Sequence, residues 1–378
     1  MSAVRSALRS FSRVIDWSLV APALAITALG ILTMHTFGVG PSFAPKQIIW
    51  LLISFGAYYF ASADVRFIRR TPVIITLYFF VVLLLLLLLV ASHPIMGAKS
   101  WFVIGGVSFQ PADLAKLVLI ALLAKYLSRR HVEIADWRHV LVSGAYAGLF
   151  VLLVLVEPDL GTAVILGSIW LGLMLVSGIS KKHLLIIGAV LVAASVFLWF
   201  FGLKPYQRDR IAAFVNPAAN IQGAGYNGYQ AMIAVGSGEV WGKGIGYGTQ
   251  STLRFLPEYQ TDFIFAAYAE EWGFAGIVLL LTLYALLIFR LFVIARKAST
   301  NFDAFFTLGV AVLFMAHIII HAGINVGLLP ITGITIPFMS YGGSHLIMEF
   351  TELGIVTALA RHRRAVPRQA ALQEYEGI

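Results

Sequence analysis

The sequence predicts an all-α polytopic membrane protein with ten transmembrane helices, both termini cytoplasmic, and a large outer loop between spans 7 and 8. Three observations predict it. Of 378 residues, 60% are hydrophobic and only 12% charged, and the mean hydropathy is +0.87. Apolar runs of about 17–25 residues, the length that crosses a bilayer, recur along the chain. Basic residues gather between alternate runs, the positive-inside pattern of a membrane protein.

In chain order the runs lie near 17–36, 46–63, 72–91, 112–127, 139–156, 160–177, 184–202, 263–293, 304–326 and 343–360. The first follows a basic stretch, as a signal peptide would, but nine further runs make it a retained signal anchor. The fifth and sixth are separated only by "EPDL" (157–160), whose Pro158 stops one helix where the next begins. The eighth is longer than one crossing requires, so its first turns are expected in or above the outer interface. The whole chain, 1–378, reads as one membrane domain with an outer loop at about 203–262 and a cytoplasmic tail at about 361–378.

Orientation follows from Lys and Arg. Arg5, Arg9 and Arg13 precede the first span; Arg66, Arg69 and Arg70 follow the second; Lys125, Arg129, Arg130 and Arg138 follow the fourth. Lys181 and Lys182 follow the sixth, Arg290, Arg296 and Lys297 the eighth, and Arg361, Arg363, Arg364 and Arg368 the tenth. These are nineteen of the 27 basic residues, all on one side of the ten-span layout. The net charge of +9 therefore reports membrane orientation rather than nucleic-acid binding, since no single basic face forms. The chain has no cysteine, which excludes disulfides and thiolate chemistry.

The eight remaining basic residues are Lys46, Lys99, Lys116, Lys204, Arg208, Arg210, Lys243 and Arg254, five of them in 203–262. A connection of that length is usually functional, and its Gly-rich, apolar composition predicts that it folds onto the membrane face. Within it, "GSGEVWGKG" (236–244) resembles a phosphate loop, but Ser237 and Gly244 break the spacing and the magnesium position. It is either a packed Gly-rich turn or a backbone that approaches a lipid-linked diphosphate, with Lys243 as a point charge.

Ionisable residues within apolar sequence are functional-site candidates by default, because their desolvation must be offset. "RFLPEYQTDFIFAAYAEEWG" (254–273) holds Asp262 at the lip of the eighth run, with Glu270 and Glu271 inside it. Eight helical residues would separate Asp262 from Glu270 by about 12 Å, so the glutamates are expected to pair within the bundle. Asp113 and Lys116, three apart, allow an ion pair on one helical face. Asp159 is either a helix N-cap or an acid lining the same cavity as Asp262. His317 and His321, four apart, with Glu349 and Glu352 on the tenth run, read as a structural cluster in which imidazole and carboxylate satisfy each other; metal binding is the alternative.

"FLPEYQTDFIFAAYAEEWG", "EPDLGTA" (157–163), "GYQAMIAVGSGEVWGKGIGYGTQS" (228–251) and "LLPITGITIPFMSYGGS" (328–344) resemble the signature blocks of the SEDS (shape, elongation, division and sporulation) family. The resemblance covers nearly the whole chain in order. The "GTQS", "FLPE" and "TDFIFA" blocks are more like the cell-elongation member than the division member. It implies a peptidoglycan glycosyltransferase that polymerises lipid II on the outer face of the bacterial cytoplasmic (inner) membrane. The partners it implies are undecaprenyl-diphosphate-linked glycan and a class B penicillin-binding protein acting as transpeptidase.

Carried onto the Thr-Asp-Phe motif, the resemblance makes Asp262 the catalytic acid. An α-linked donor and a β-1,4 product require inversion, hence one base for the acceptor hydroxyl and positive charge for the leaving diphosphate. Asp262 is read as that base, with room for a divalent cation (Mg2+ or Mn2+) bridging the diphosphate; the metal itself is unknown. Candidate substrate-binding residues are Lys99, Trp101, Lys116, Asp159, Arg210 and Lys243. Asp113, Glu270, Ser340, Gly342 and Gly343 are expected to support the site. The chain departs from the family pattern at Ser100 (usually Arg), Asp113 (Glu), Glu157 (Gln), Glu239 (Gly) and His345 (a small residue), and in its His317, His321, Glu349 and Glu352 cluster. Two other readings are a lipid II flippase, which would need polar residues through the full bundle depth, and a non-catalytic scaffold, which would not need Asp262.

Overall fold

The computed structural model describes residues 15–37, 43–63, 66–91, 100–104, 107–130, 136–216, 223 and 225–362. Thirteen helices lie among them: α1 (Trp17–His35), α2 (Phe43–Ala63), α3 (Thr71–Ala91), α4 (Pro111–Arg130), α5 (Trp137–Val156), α6 (Leu160–Val176) and α7 (Lys181–Phe197), then α8 (Pro205–Val215), α9 (Tyr226–Ser237), α10 (Thr249–Thr252), α11 (Ile264–Arg296), α12 (Asn301–Asn325) and α13 (Gly343–His362). A helix occupies each of the ten predicted runs. Among the described residues, six are long and apolar enough to cross a membrane, namely α1, α3, α5, α7 with its extension to Gly202, α11 and α12; α6 is a shorter apolar helix. The protein is therefore an all-α, multi-pass membrane protein. One short exception is an antiparallel ribbon, β1 (Phe102–Ile104) and β2 (Val107–Phe109), with Phe102 opposite Phe109. The basic residues at 5–13 and 363–368, and the tail beyond His362, lie outside the described residues.

Local chemistry starts the helices where the runs begin. Side chains of Asp16, Asp136, Asp159, Ser180 and Thr300 each accept a backbone N–H in the first turn of α1, α5, α6, α7 and α12. Helices α4 and α12 form the centre, packed on each other and on α6 and α13. Gly309 permits this approach, since a Cβ there would stand 2.7 Å from Ile120. Helix α13 lies along α2, where a Cβ on Gly354 would meet the Tyr58 carbonyl at 2.5 Å. Helix α7 stands apart, with only Ile187 buried along its length; an apolar surface of this kind is what lipid covers.

Two ion pairs tie one face of the bundle together: Arg290 to Asp16 and Arg69 to Asp303, both at 2.9 Å. The opposite face carries α8, α9 and α10 and the segments 238–263 and 328–342. As expected, the long segment folds back onto the bundle, with α9 against α11 and α12.

Candidate active site

Asp262 lies in a tight turn just ahead of α11. The backbone is left-handed at Arg254 and Glu258, with φ of 58° and 50°. The Glu258 carbonyl accepts the N–H groups of Thr261 (3.1 Å) and Phe263 (3.2 Å). Each carbonyl of the next stretch is then held from another element. Gln260 O accepts Tyr341 N–H at 2.8 Å, Thr261 O accepts the Ser340 hydroxyl at 2.8 Å, and Asp262 O accepts Asn325 Nδ2 at 3.0 Å. Asn325 Oδ1 also accepts the Ala266 N–H (3.1 Å), an otherwise unsatisfied donor of the first turn of α11. Gly333 passes close to the carboxylate: its φ is +74°, and a Cβ there would lie 3.6 Å from Asp262 Oδ2.

The Asp262 side chain keeps partial access to solvent, yet its carboxyl is raised from 3.8 to about 7. Burial is the main cause, the negative charges of Glu258 and Asp159 add to it, and Arg210 and a hydrogen bond from Thr261 oppose it. Arg210, on α8, is half-buried, with its guanidinium 5.6 Å from the Tyr206 ring centroid. Of the two roles read for Asp159, the structure shows the helix cap. It caps α6 through Thr162 N–H (2.9 Å) and the Thr162 hydroxyl (2.8 Å), it accepts Gln110 Nε2 at 3.1 Å, and its charge reaches Asp262. Burial raises the Asp159 carboxyl while the Thr162 bonds oppose the rise. Glu157, fully buried beside it, is pushed up to about 8 by burial and by Asp159.

Of the two readings of the Gly-rich segment, the structure shows the packed turn, with Lys243 bonded to Glu270. Helix α11 is broken at Gly273 (φ 63°, ψ −165°), and the segment 238–248 plugs the break. Lys243 N–H and Gly244 N–H donate to the carbonyls of Glu270 (3.0 Å) and Glu271 (3.1 Å), while Phe274 N–H and Ala275 N–H donate to Glu239 O (2.9 Å) and Val240 O (3.0 Å). The Glu270 carboxylate sits in the loop, receiving Lys243 Nζ at 2.6 Å, Thr249 N at 2.9 Å, the Thr249 hydroxyl at 2.9 Å and Gln250 N at 3.1 Å. Glu271 Oε1 accepts the Thr36 hydroxyl (2.6 Å) and Gly246 N–H (3.2 Å). The likeness to a phosphate loop thus has a physical basis: the Gly-rich backbone and its lysine do cradle an anion, but that anion is the chain's own Glu270.

Lys116 is also engaged within the protein. It is buried, 2.8 Å from Asp113 Oδ1 and 3.5 Å from His317 Nε2. Asp113 further receives the Ser344 hydroxyl (3.2 Å) and lies 3.3 Å from His345 Nδ1, whose Nε2 is 2.8 Å from Glu349 Oε1. Asp113, Lys116, His317, His345, Glu349 and Glu352 line a small cavity of about 10 Å³. The polar cluster is therefore composed differently from its sequence reading. His317 and His321 do not pair with the glutamates; their Nδ1 atoms donate to the carbonyls of Thr335 (2.9 Å) and Ile334 (2.7 Å). The reason is that the 328–342 segment runs between α12 and α13, and its backbone takes the bonds first.

Ser340 bridges Thr261 O and Ile336 N–H (3.0 Å). Gly342 N–H donates to Gln47 Oε1 (3.3 Å), and Gly343 lies against Trp50, whose ring a Cβ would meet at 2.5 Å. Trp101 is half-buried directly before β1. Lys99 lies outside the described residues. Asn325, Gly333 and Glu258 were not singled out from sequence. A lone Asn in an apolar run and the Gly of "PITGIT" were the available signals for the first two. Among the described residues, no group of three or more His, Asp or Glu side chains is arranged to hold a metal ion.

Fold and site together define a multi-pass membrane protein in which one acid, Asp262, lies in a turn held by hydrogen bonds from α12 and the 328–342 segment. The family model described as "Cell cycle protein" (FtsW, RodA, SpoVE) matches residues 11–365, and the chain belongs to that family. It is 39% identical over 273 residues to "Peptidoglycan glycosyltransferase MrdB" of Escherichia coli K12, covering 72% of this chain and 73% of that protein. Among solved structures it is similar to a chain of a peptidoglycan synthase complex described as coordinating polymerization and crosslinking, with TM-score 0.78, 32% identity, and 92% and 98% of the two chains covered. It is also similar to the Thermus thermophilus rod shape determining protein RodA, with TM-score 0.69, 31% identity, and 92% and 97% covered.

Proposed function

We propose that Asp262 is the general base of an inverting glycosyl transfer that extends glycan strands from lipid II. The protein is a peptidoglycan glycosyltransferase, as its family membership and its similarity to MrdB support. One arrangement supports the mechanism: a carboxyl raised to about 7, on a turn whose three successive carbonyls accept hydrogen bonds from Tyr341 N–H, the Ser340 hydroxyl and Asn325 Nδ2, and within reach of the charge of Arg210. Catalytic efficiency peaks when a base titrates near the working pH. In the step, Asp262 takes the proton of the acceptor hydroxyl while that oxygen bonds to the anomeric carbon. The bond from that carbon to the diphosphate breaks on the opposite face, and the departing negative charge is met by Arg210. Mg2+ or Mn2+ would arrive with the diphosphate, and no step is assigned to it.

The ten predicted spans put Asp262 on the outer face of the inner membrane, where lipid II is consumed, and the elongation-like blocks assign the protein to cell elongation. The similarity to a synthase complex supports a crosslinking partner, for which a class B penicillin-binding protein is the candidate. Asp262→Asn keeps the side chain's shape but cannot accept the proton. Purified and supplied with lipid II, that variant is expected to lose about 10²–10⁴-fold in polymerisation rate while retaining partner binding. Near wild-type polymer yield from the folded variant would remove Asp262 from the mechanism.

A further inference from the structure

We infer that Glu349, buried in α13, is a positioning residue for the reaction at Asp262, acting through the backbone of Phe338. The inference rests on the reading of Asp262 as the base. Glu349 Oε2 accepts the Phe338 N–H at 2.8 Å. Phe338 has a φ of 63°, a conformation that a bulky L-residue holds only when its surroundings over-determine it. Its ring provides one constraint, edge-on to Phe314 at 5.2 Å and to Phe350 at 5.4 Å between centroids. The carboxylate provides the other.

The turn at Phe338 directs the chain to Ser340, whose hydroxyl receives Ile336 N–H and donates to Thr261 O, and to Tyr341, whose N–H donates to Gln260 O. The bonds immediately before Asp262 are thus set by a backbone that Glu349 pins. On the other side of the same segment, His317 and His321 hold Thr335 and Ile334, and Gly333 borders the Asp262 carboxylate. Glu349 keeps its acceptor oriented through His345, itself braced by Asp113. His345 and Glu349 stand four apart on one helical face, so the His that departs from the family pattern braces the acid outside it.

The test uses the full chain in lipid nanodiscs with purified lipid II, comparing wild type, Glu349→Leu and Glu349→Gln. Both kinetics and backbone hydrogen exchange over 258–264 and 330–342 are read. Leu removes the acceptor, and exchange in both segments is expected to rise; kcat falls about 10–100-fold, the scale of a misplaced catalytic group, while KM stays within about twofold. Gln retains an oxygen for Phe338 N–H and is expected to restore most of kcat and the slow exchange. If the Leu variant does not fold, Glu349→Asp, which withdraws the carboxylate by one methylene, should show the same pattern in weaker form. Unchanged exchange at 258–264, or a loss confined to KM or to melting temperature, would overturn the assignment. A wrong assignment of Asp262 gives a different result: Asp262→Asn stays active while Glu349→Leu still loosens 258–264.

Discussion

Asp262 combines two conditions that oppose each other, a low-dielectric setting that strengthens interactions with substrate and a charge that such a setting disfavours. Its carboxyl, raised from 3.8 to about 7 chiefly by burial, makes two pH effects testable. The base works ionised, so kcat/KM should rise with pH through about 7. Arg210→Ala removes a charge that favours ionisation, which should move that limb to higher pH and reduce efficiency together. Stability runs the other way. Between 3.8 and about 7 the folded state binds more protons than the unfolded one, so the contribution of Asp262 to stability is lost as pH rises through that window. Asp262→Asn is therefore expected to melt higher than wild type at pH 8, with little difference at pH 3. A variant that melts lower at pH 8 would contradict the burial argument. Sequence made Asp262 visible because an acid at the lip of an apolar run is costly. It could not separate Arg210, which reaches the acid, from Lys243, which does not need to, because both are basic residues in the same segment.

Helix α11 shows what hydropathy can and cannot read at the scale of an element. The length of its apolar run signals more than one crossing, but the break at Gly273 has no hydropathy signature. What closes the break is non-local: four backbone bonds from 238–248, and the Glu270 carboxylate held by Lys243 and by the start of α10. Gly273 can be nothing else, since a Cβ would fall 2.2 Å from Gly242 N and the φ is left-handed. Gly273→Ala should therefore abolish the folded protein in membranes or lower its melting temperature sharply. Lys243→Ala removes one of several donors to a buried carboxylate, at a cost of about 1–3 kcal/mol. The expected readout is a lowered melting temperature with KM for lipid II nearly unchanged. A large KM rise at an unchanged melting temperature would return Lys243 to the diphosphate. A helix at each of the ten apolar runs was legible, and among the described residues six of them are long and apolar enough to cross a membrane. The packed cap of 238–263 was not, because its folding is dictated by partners from other parts of the chain, such as Ser340 and Tyr341, which bond the carbonyls of Thr261 and Gln260.

For the whole molecule, the arrangement of charge supplies a topology that can be checked directly. The nineteen basic residues gathered on one side of the ten-span layout coincide, where described, with the face closed by the Arg290–Asp16 and Arg69–Asp303 pairs. If all ten helices cross in alternation, the turns at 157–159, 203–263 and 328–342 share the opposite face, which is then the face expected to bear Asp262. Gly333 borders the Asp262 carboxylate, and the charge of Asp159 acts on it. The positive-inside rule then predicts that the first face is cytoplasmic. The absence of cysteine from the chain lets single-cysteine variants report this without background. Exposed Lys182 and Lys297 mark one face, and exposed Asp209 and Trp241 the other. In intact spheroplasts a membrane-impermeant maleimide should label Asp209→Cys and Trp241→Cys at once, and Lys182→Cys and Lys297→Cys only after permeabilisation. The reverse pattern would put Asp262 on the cytoplasmic face, where a strand-extending enzyme could not deliver product to the wall. Labelling of Lys182→Cys and Lys297→Cys from opposite sides would show that the α7–α11 portion does not cross an even number of times.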